Sequence, residues 1–279
     1  MPDFIRSRPL TYLLHAVIWC GLGVVGTLAV TKRFSRSPVE LSESDDLVRW
    51  ADVLRDRQVP PRVIYLQSGP IVLTPGVDAS HENRSSVLLA NKVTEAKLPG
   101  FSGSPEAWQA ITRCVKAQFA PFAIEVTDER PTDPGYVMAI VGGHPHDLGM
   151  ERKSGGLAPF SGGVIEDPVV FAFASRLGNA PRAVCETITK EVAHAFGLDH
   201  GYLCADVMSY LSGCGGKAFV DEDVPCGERH PRTCINGRST QNSYQMLLSI
   251  LGPRGNPSKG AARAAALEPA QPQAQNDPP

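Results

Sequence analysis

Apolar residues along this chain follow two periods, and the switches between them mark its elements. Residues 62–66 and 71–74 are short runs rich in branched and apolar side chains, Val63-Ile64-Tyr65-Leu66 and Ile71-Val72-Leu73-Thr74, punctuated by Gly69-Pro70 and closed by Pro75-Gly76. Runs of this length between turn residues predict two strands, and Val87-Leu88-Leu89 within residues 86–90 predicts another. From Ser104-Pro105-Glu106 to about residue 118 the period changes, with Ala107, Ile111, Cys114 and Val115 on one face. A helix is expected there, because proline fits a first turn and an acidic residue meets the positive end of the helix dipole. Strands follow at residues 122–127, 136–141 and 169–174, the last opening just after Pro168. Asn179 and Pro181 then start a second long helix whose apolar stripe is Val184, Ile188, Val192 and Ala195. Residues 240–251 carry Tyr244, Leu247, Leu248 and Leu251 on one side and stop at Gly252-Pro253, which predicts a last helix.

Outside residues 61–252 the pattern differs. Residues 10–30 carry no formal charge apart from titratable His15, and Arg6, Arg8, Lys32, Arg33 and Arg36 bracket them. These 21 residues match the length of a bilayer span, so residues 1–36 are expected to anchor the chain in a membrane. A removed signal peptide is the alternative, with small residues near Thr27-Leu28-Ala29. Residues 37–60 are expected to form a stalk or pro-segment in which Leu47, Trp50, Ala51 and Leu54 make a short amphipathic helix. Residues 253–279, rich in Pro, Ala, Gln and Gly, lack a sustained apolar pattern and are expected to be disordered.

Composition narrows the class. With 27 basic against 29 acidic residues and a pI near 6.4, the chain has no basic footprint for nucleic acid, and no such partner is expected. Cys20 lies in the apolar run, whereas Cys114, Cys185, Cys204, Cys214, Cys226 and Cys234 form an even set within residues 61–252. Such a set predicts disulfides in an oxidising compartment, with the pairing left open. A structural zinc site at the last four cysteines competes with this, but none of them shows the close spacing that such sites use. The chain beyond about residue 36 is therefore expected outside the cytoplasm, membrane-anchored, or secreted if the N-terminal segment is cleaved.

Chemistry concentrates at Lys190-Glu191-Val192-Ala193-His194-Ala195-Phe196-Gly197-Leu198-Asp199-His200. Positions four apart share a helical face, so 190 and 194 point to one side with Glu191 beside them. Gly197 can take a backbone conformation that other residues disfavour, letting the chain leave the helix and bring His200 back to the same place. Asp206-Val207-Met208-Ser209-Tyr210 follows. Together these residues resemble the signature of the metzincin zinc metalloproteases of the matrixin and reprolysin type, His-Glu-x-x-His-x-x-Gly-x-x-His with a later methionine turn. Glu191, His194, Gly197, His200 and Met208 match it, and Lys190 stands where the first zinc-binding histidine belongs.

The resemblance implies an α+β, metzincin-like fold: a twisted, mostly parallel sheet with two helices above an active-site cleft, and a smaller, irregular, disulfide-rich lower subdomain with a C-terminal helix. It implies that residues 61–252 are the catalytic-type domain and that His194 and His200 hold zinc. It also makes Glu191 the catalytic residue that takes a proton from metal-bound water, Gly197 and Met208 structural, and a protein or peptide the occupant of the cleft. Residues 155–160 would be the edge strand beside which a substrate lies, or a glycine-rich loop.

Lys190 divides the functional expectation. A protonated ammonium has three donors and no lone pair for a metal. Zinc-dependent peptide hydrolysis is what the family implies. Lys190 favours a catalytically inactive pseudoprotease, an envelope binding or structural module in which Glu191 pairs with the ammonium and zinc binds weakly or not at all. A rewired site is the third arrangement, with Glu191, His194 and His200 as ligands, since Glu-x-x-His is itself a metal-binding pair. Gly142-Gly143-His144-Pro145-His146-Asp147 offers a possible second metal site at His144, His146 and Asp147, against the plainer expectation of a surface turn.

Overall fold

The computed structural model describes residues 60–151 and 154–255. The bilayer-length run at 10–30, the amphipathic run at 47–54 and the tail beyond residue 255 lie outside the described residues. Among the described residues no helix is long and apolar enough to cross a membrane. In chain order the strands are β1 (Val63–Gln67), β2 (Ile71–Pro75), β3 (Arg84–Ser85), β4 (Ala96–Leu98), β5 (Glu125–Thr127), β6 (Tyr136–Val141), β7 (Gly156–Leu157), β8 (Val169–Ala172), β9 (Val224–Pro225) and β10 (Thr240–Gln241). The α-helices are α1 (Ser86–Ala90), α2 (Pro105–Gln118), α3 (Pro181–Ala195) and α4 (Ser243–Leu251).

A five-stranded sheet in the order β5-β1-β6-β8-β7 forms the centre. Its first four strands are parallel and β7 joins the edge antiparallel. Every residue of β6 is buried, which is why its sequence is continuously apolar rather than alternating. One face packs Ile64, Val137 and Val141 against Ile111 and Val115 of α2 and Ile188 of α3. The other packs Tyr65, Met138 and Phe171 against Leu73, Leu88 and Leu98 from α1 and the small β3-β2-β4 sheet. Each such large side chain, fully buried, contributes about 1.5 to 3 kcal/mol. The fold is thus mixed α and β with a mostly parallel sheet, the coarse architecture that the resemblance led one to expect.

Local hydrogen bonding explains where element limits differ from the expected ones. Residues 86–90 are a helix, not a strand: the Ser85 hydroxyl accepts the Val87 amide, and a five-residue apolar run fits either period. Phe122 bridges Pro253 and the Ala123 amide donates to the Gly252 carbonyl, so β5 keeps three residues of the expected six. Ala174–Leu177 turns into a short 3-10 helix, which ends β8 early. At the C-terminus the Asn242 side chain accepts the Gln245 amide at 2.9 Å and starts α4 at Ser243, leaving Thr240 and Gln241 to pair with β9. Arg254 donates to the carbonyls of Ala120 and Ile124, so residues 253 and 254 belong to the folded domain and not to the tail.

The six cysteines form three disulfides, Cys114–Cys185, Cys204–Cys214 and Cys226–Cys234. The four-cysteine zinc alternative is thereby overturned, and the bridges fit an oxidising, extracytoplasmic environment. The first ties α2 to α3; the other two lie in the irregular segment between α3 and α4.

Candidate functional site

Helix α3 places Glu191 and His194 at a cleft of about 250 Å³, whose other walls include Gly156 and Leu157 of β7 and His200, Tyr210 and Glu228 of the irregular segment. The edge strand expected at 155–160 is therefore present as the two residues of β7. The helix stops at Ala195, and Gly197 follows with φ +89. A Cβ there would lie 2.9 Å from the Gly163 Cα, so both torsion and space call for glycine. Past this turn the chain doubles back, and the rings of His194 and His200 stand perpendicular with centroids 4.6 Å apart.

Both imidazoles are held at Nδ1. His194 Nδ1 bonds the Leu198 carbonyl at 2.7 Å, and His200 Nδ1 bonds Glu228 at 2.8 Å. A carbonyl only accepts, so the hydrogen of His194 sits on Nδ1 and its Nε2 keeps a lone pair. Burial lowers the His194 pKa to about 3. It lowers that of His200 as well, with Glu228 opposing. Neutral rings fixed through one nitrogen are how proteins orient histidines toward metals.

Glu228, Asp199 and Arg232 complete this wall, and the sequence reading singled out none of them. Arg232 donates to both oxygens of Asp199, at 2.7 and 2.8 Å, and to Glu228 at 2.6 Å. Its hydrogen bonds hold the Glu228 carboxyl well below the ordinary range. Burial pushes Asp199 up, but Arg232 and the amides of Ile235 and His200 outweigh it and leave that group lowered. Glu228 and Arg232 both lie in the loop closed by Cys226–Cys234. Two opposite charges four apart inside a cysteine pair were the only signal available for them.

Lys190 turns out of the cleft. Its Nζ donates to the Ser209 carbonyl at 3.0 Å, lies 4.3 Å from the centroid of the Tyr210 ring, and borders a separate hollow with Glu186, Thr187 and Lys217. Lys217 donates to the same carbonyl at 2.7 Å, and the Tyr210 ring also packs on His200 with centroids 4.5 Å apart. Lys190 and Glu191 make no direct ion pair, although each still feels the other's charge; the ammonium's contacts are to the carbonyl and the aromatic face. Burial lowers the Lys190 ammonium to about 8 and raises the Glu191 carboxyl to about 8. Gly156 makes room for that carboxyl: a Cβ at 156 would lie 2.6 Å from Glu191 Oε1. Met208 is fully buried, and its carbonyl accepts the Gly201 amide, which seats this turn under His200.

His144, His146 and Asp147 do come together on a short 3-10 turn, with the two Nδ1 atoms 2.5 Å apart. Asp147 is committed there as the cap of the turn, accepting the His144 amide at 2.7 Å. Among the described residues, two groups bring three ligand atoms within 4.8 Å of one another: Asp199-Cys226-Cys234 and Asp199-His200-Glu228. The sulfurs of the first are a disulfide and the carboxylates of the second are held by Arg232. Glu191, His194 and His200 do not form such a group. Catalytic zinc takes three protein ligands, and this cleft offers two imidazole lone pairs, with the amine turned away. A complete catalytic zinc shell does not fit these residues. The sequence matches no protein-family model and no curated protein.

Glu191 makes stability depend on pH. Its folded pKa is raised from 4.5 to about 8. Between those values the unfolded chain has released a proton that the folded chain keeps, so stability falls as pH rises through this window and then levels. Glu191→Gln removes the loss. Urea midpoints of variant and wild type are expected to differ least near the lower end of the window and most near the upper end, in favour of the variant. A gap that does not change with pH would show that Glu191 is already ionised in the folded protein.

Proposed function

We propose that residues 61–252 are a metzincin-like domain that has lost peptide hydrolysis and keeps its cleft as a binding site for an extended polypeptide, presented outside the cytoplasm by the N-terminal segment. One observation carries this: the nitrogen at position 190 is bound to Ser209 and Tyr210, so the family's third ligand is absent and its substitute is satisfied elsewhere. The family itself is supported by the matches at Glu191, His194, Gly197, His200 and Met208, and by the turn at Gly197 that returns His200 to His194. Peptide binding is supported by β7, which ends the sheet and leaves an edge onto which an extended chain can add. Three of the exposed large apolar side chains, Phe160, Tyr210 and Ile235, also line this cleft.

A second reading, metal-dependent peptide hydrolysis, is favoured by the two histidines, whose Nδ1 atoms are held while neither Nε2 has a hydrogen-bond partner among the described residues. The test is a peptide library offered to the full-length chain, with and without added zinc, beside Glu191→Gln. Saturable peptide binding without cleavage is expected from both proteins. Zinc-dependent cleavage by the wild type that Glu191→Gln abolishes would replace the first reading with the second.

A further inference from the structure

Cys204 and Cys214, 10 residues apart, close a loop that forms one wall of the cleft. Within it, the Ser209 carbonyl holds the Lys190 ammonium at 3.0 Å, and the Tyr210 ring covers both that ammonium and His200. The two parts of this loop are held differently. At its base, Val207 and Met208 are wholly buried, and the Val207 amide and the Ala205 carbonyl both bond Ala218. At its tip, Tyr210 is 56% exposed and Ser212 and Gly213 are exposed. Among the described residues one hydrogen bond from outside the loop reaches this tip, from Lys217 Nζ to the Leu211 carbonyl. The covalent bridge is therefore the main restraint that keeps the tip, and with it the Tyr210 ring, against His200.

Thiols can reach this bridge. Exchange needs an approach to one of the two sulfurs. Cys204 and Cys214 are both partly exposed, and Gly213 and Gly215, on either side of Cys214, have open space where a Cβ would lie. Each of the other bridges has a buried end, Cys185 in one and both Cys226 and Cys234 in the other. The span of 10 residues, against 71 for Cys114–Cys185, also makes this bridge the smaller contributor to stability. The domain can thus stay folded when it opens.

We propose that Cys204–Cys214 is a redox switch on the cleft: closed, it keeps Tyr210 over His200; opened by a dithiol, it frees residues 210–214 and weakens ligand binding. One thiolate of the dithiol attacks a sulfur of the bridge, forming a mixed disulfide and releasing the other cysteine as a thiol. The second thiol of the dithiol then displaces the remaining cysteine. Two electrons and two protons pass from the dithiol to the bridge, and the dithiol leaves as a disulfide. The effect on binding rests on the proposed function, whereas the opening of the loop does not.

The test treats the oxidised full-length chain with graded dithiothreitol, alkylates the new thiols and locates them by mass spectrometry. Cys204 and Cys214 are expected to be alkylated at concentrations about 10-fold below those that open either other bridge. Hydrogen exchange at residues 210–213 should then speed up, while residues 207 and 208 stay protected. Affinity for a peptide selected on the oxidised protein, measured before alkylation, should fall by about 10-fold, the worth of one aromatic anchor. Tyr210→Ala should show the weaker affinity with the bridge closed and no further response to dithiothreitol. Cys204→Ser/Cys214→Ser should behave as the reduced protein; should it misfold, the wild-type titration decides. Another bridge opening first, exchange at 210–213 unchanged once Cys204 and Cys214 are reduced, or peptide affinity unaffected by that reduction would each overturn the proposal. If the oxidised protein binds no peptide, the proposed function fails, and labelling and exchange decide the switch by themselves.

Discussion

Lys190→His is expected to raise zinc affinity by about 100-fold. Structural zinc sites release about 10 to 16 kcal/mol over four ligands, so one added imidazole is worth about 3 kcal/mol. The same change removes an ammonium that stands behind the ring covering His200. The backbone needs no rearrangement, because positions 190 and 194 lie one turn apart on α3 and Gly197 already returns His200. Nor does the Ser209 carbonyl lose its last partner, since Lys217 still donates to it at 2.7 Å. Calorimetry of wild type, Lys190→His and Lys190→Ala in one buffer separates the cases, and peptide cleavage by Lys190→His that needs Glu191 would add an eroded catalytic history. Equal weak binding by wild type and Lys190→His would mean that α3 does not present these side chains to one point. Tight zinc in the wild type, kept by Lys190→Ala and lost by Glu191→Gln, would instead establish the rewired arrangement.

How much of this could be read beforehand depended on the range of the interactions. The i to i+4 geometry of residues 190 and 194 and the torsion required at Gly197 are local, so spacing alone announced them. The direction of Lys190 was not local: it depends on a carbonyl 19 residues later and on an aromatic ring beside it. The carboxylate behind His200 lies 28 residues on, in a loop with no periodicity, where only a cysteine pair constrains the chain. The same division explains the strands. β6, buried on both faces, was readable as a continuous apolar run, whereas residues 86–90, also largely apolar, are diverted into a helix by the Ser85 hydroxyl. At residues 122–124 the competing partner is the chain beyond α4, more than a hundred residues away, and strand propensity gave way to it.

Removing the Cys114–Cys185 bridge is expected to cost about 4 kcal/mol, the largest stability loss of the three. The two cysteines are 71 residues apart in sequence, and in the chain-entropy account the gain from a cross-link grows with the loop it closes. Separations of 10 and 8 at the other bridges give about 3 kcal/mol or less on the same basis. Packing adds to the difference, because Cys185 is wholly buried in α3 against the core. Replacing Cys114 and Cys185 together by alanine, so that no free thiol is left, should lower the melting temperature by about 8 to 16 °C. Cys226→Ala/Cys234→Ala should lower it less but disturb the cleft more, since that loop carries both Glu228 and Arg232. Displacing Glu228 frees His200, and displacing Arg232 leaves Asp199, with 5% of its side chain exposed, without its guanidinium. Peptide affinity is therefore expected to follow the short bridge and melting temperature the long one. Equal melting shifts from both double variants would mean that the irregular segment unfolds together with α2 and α3, as one cooperative unit.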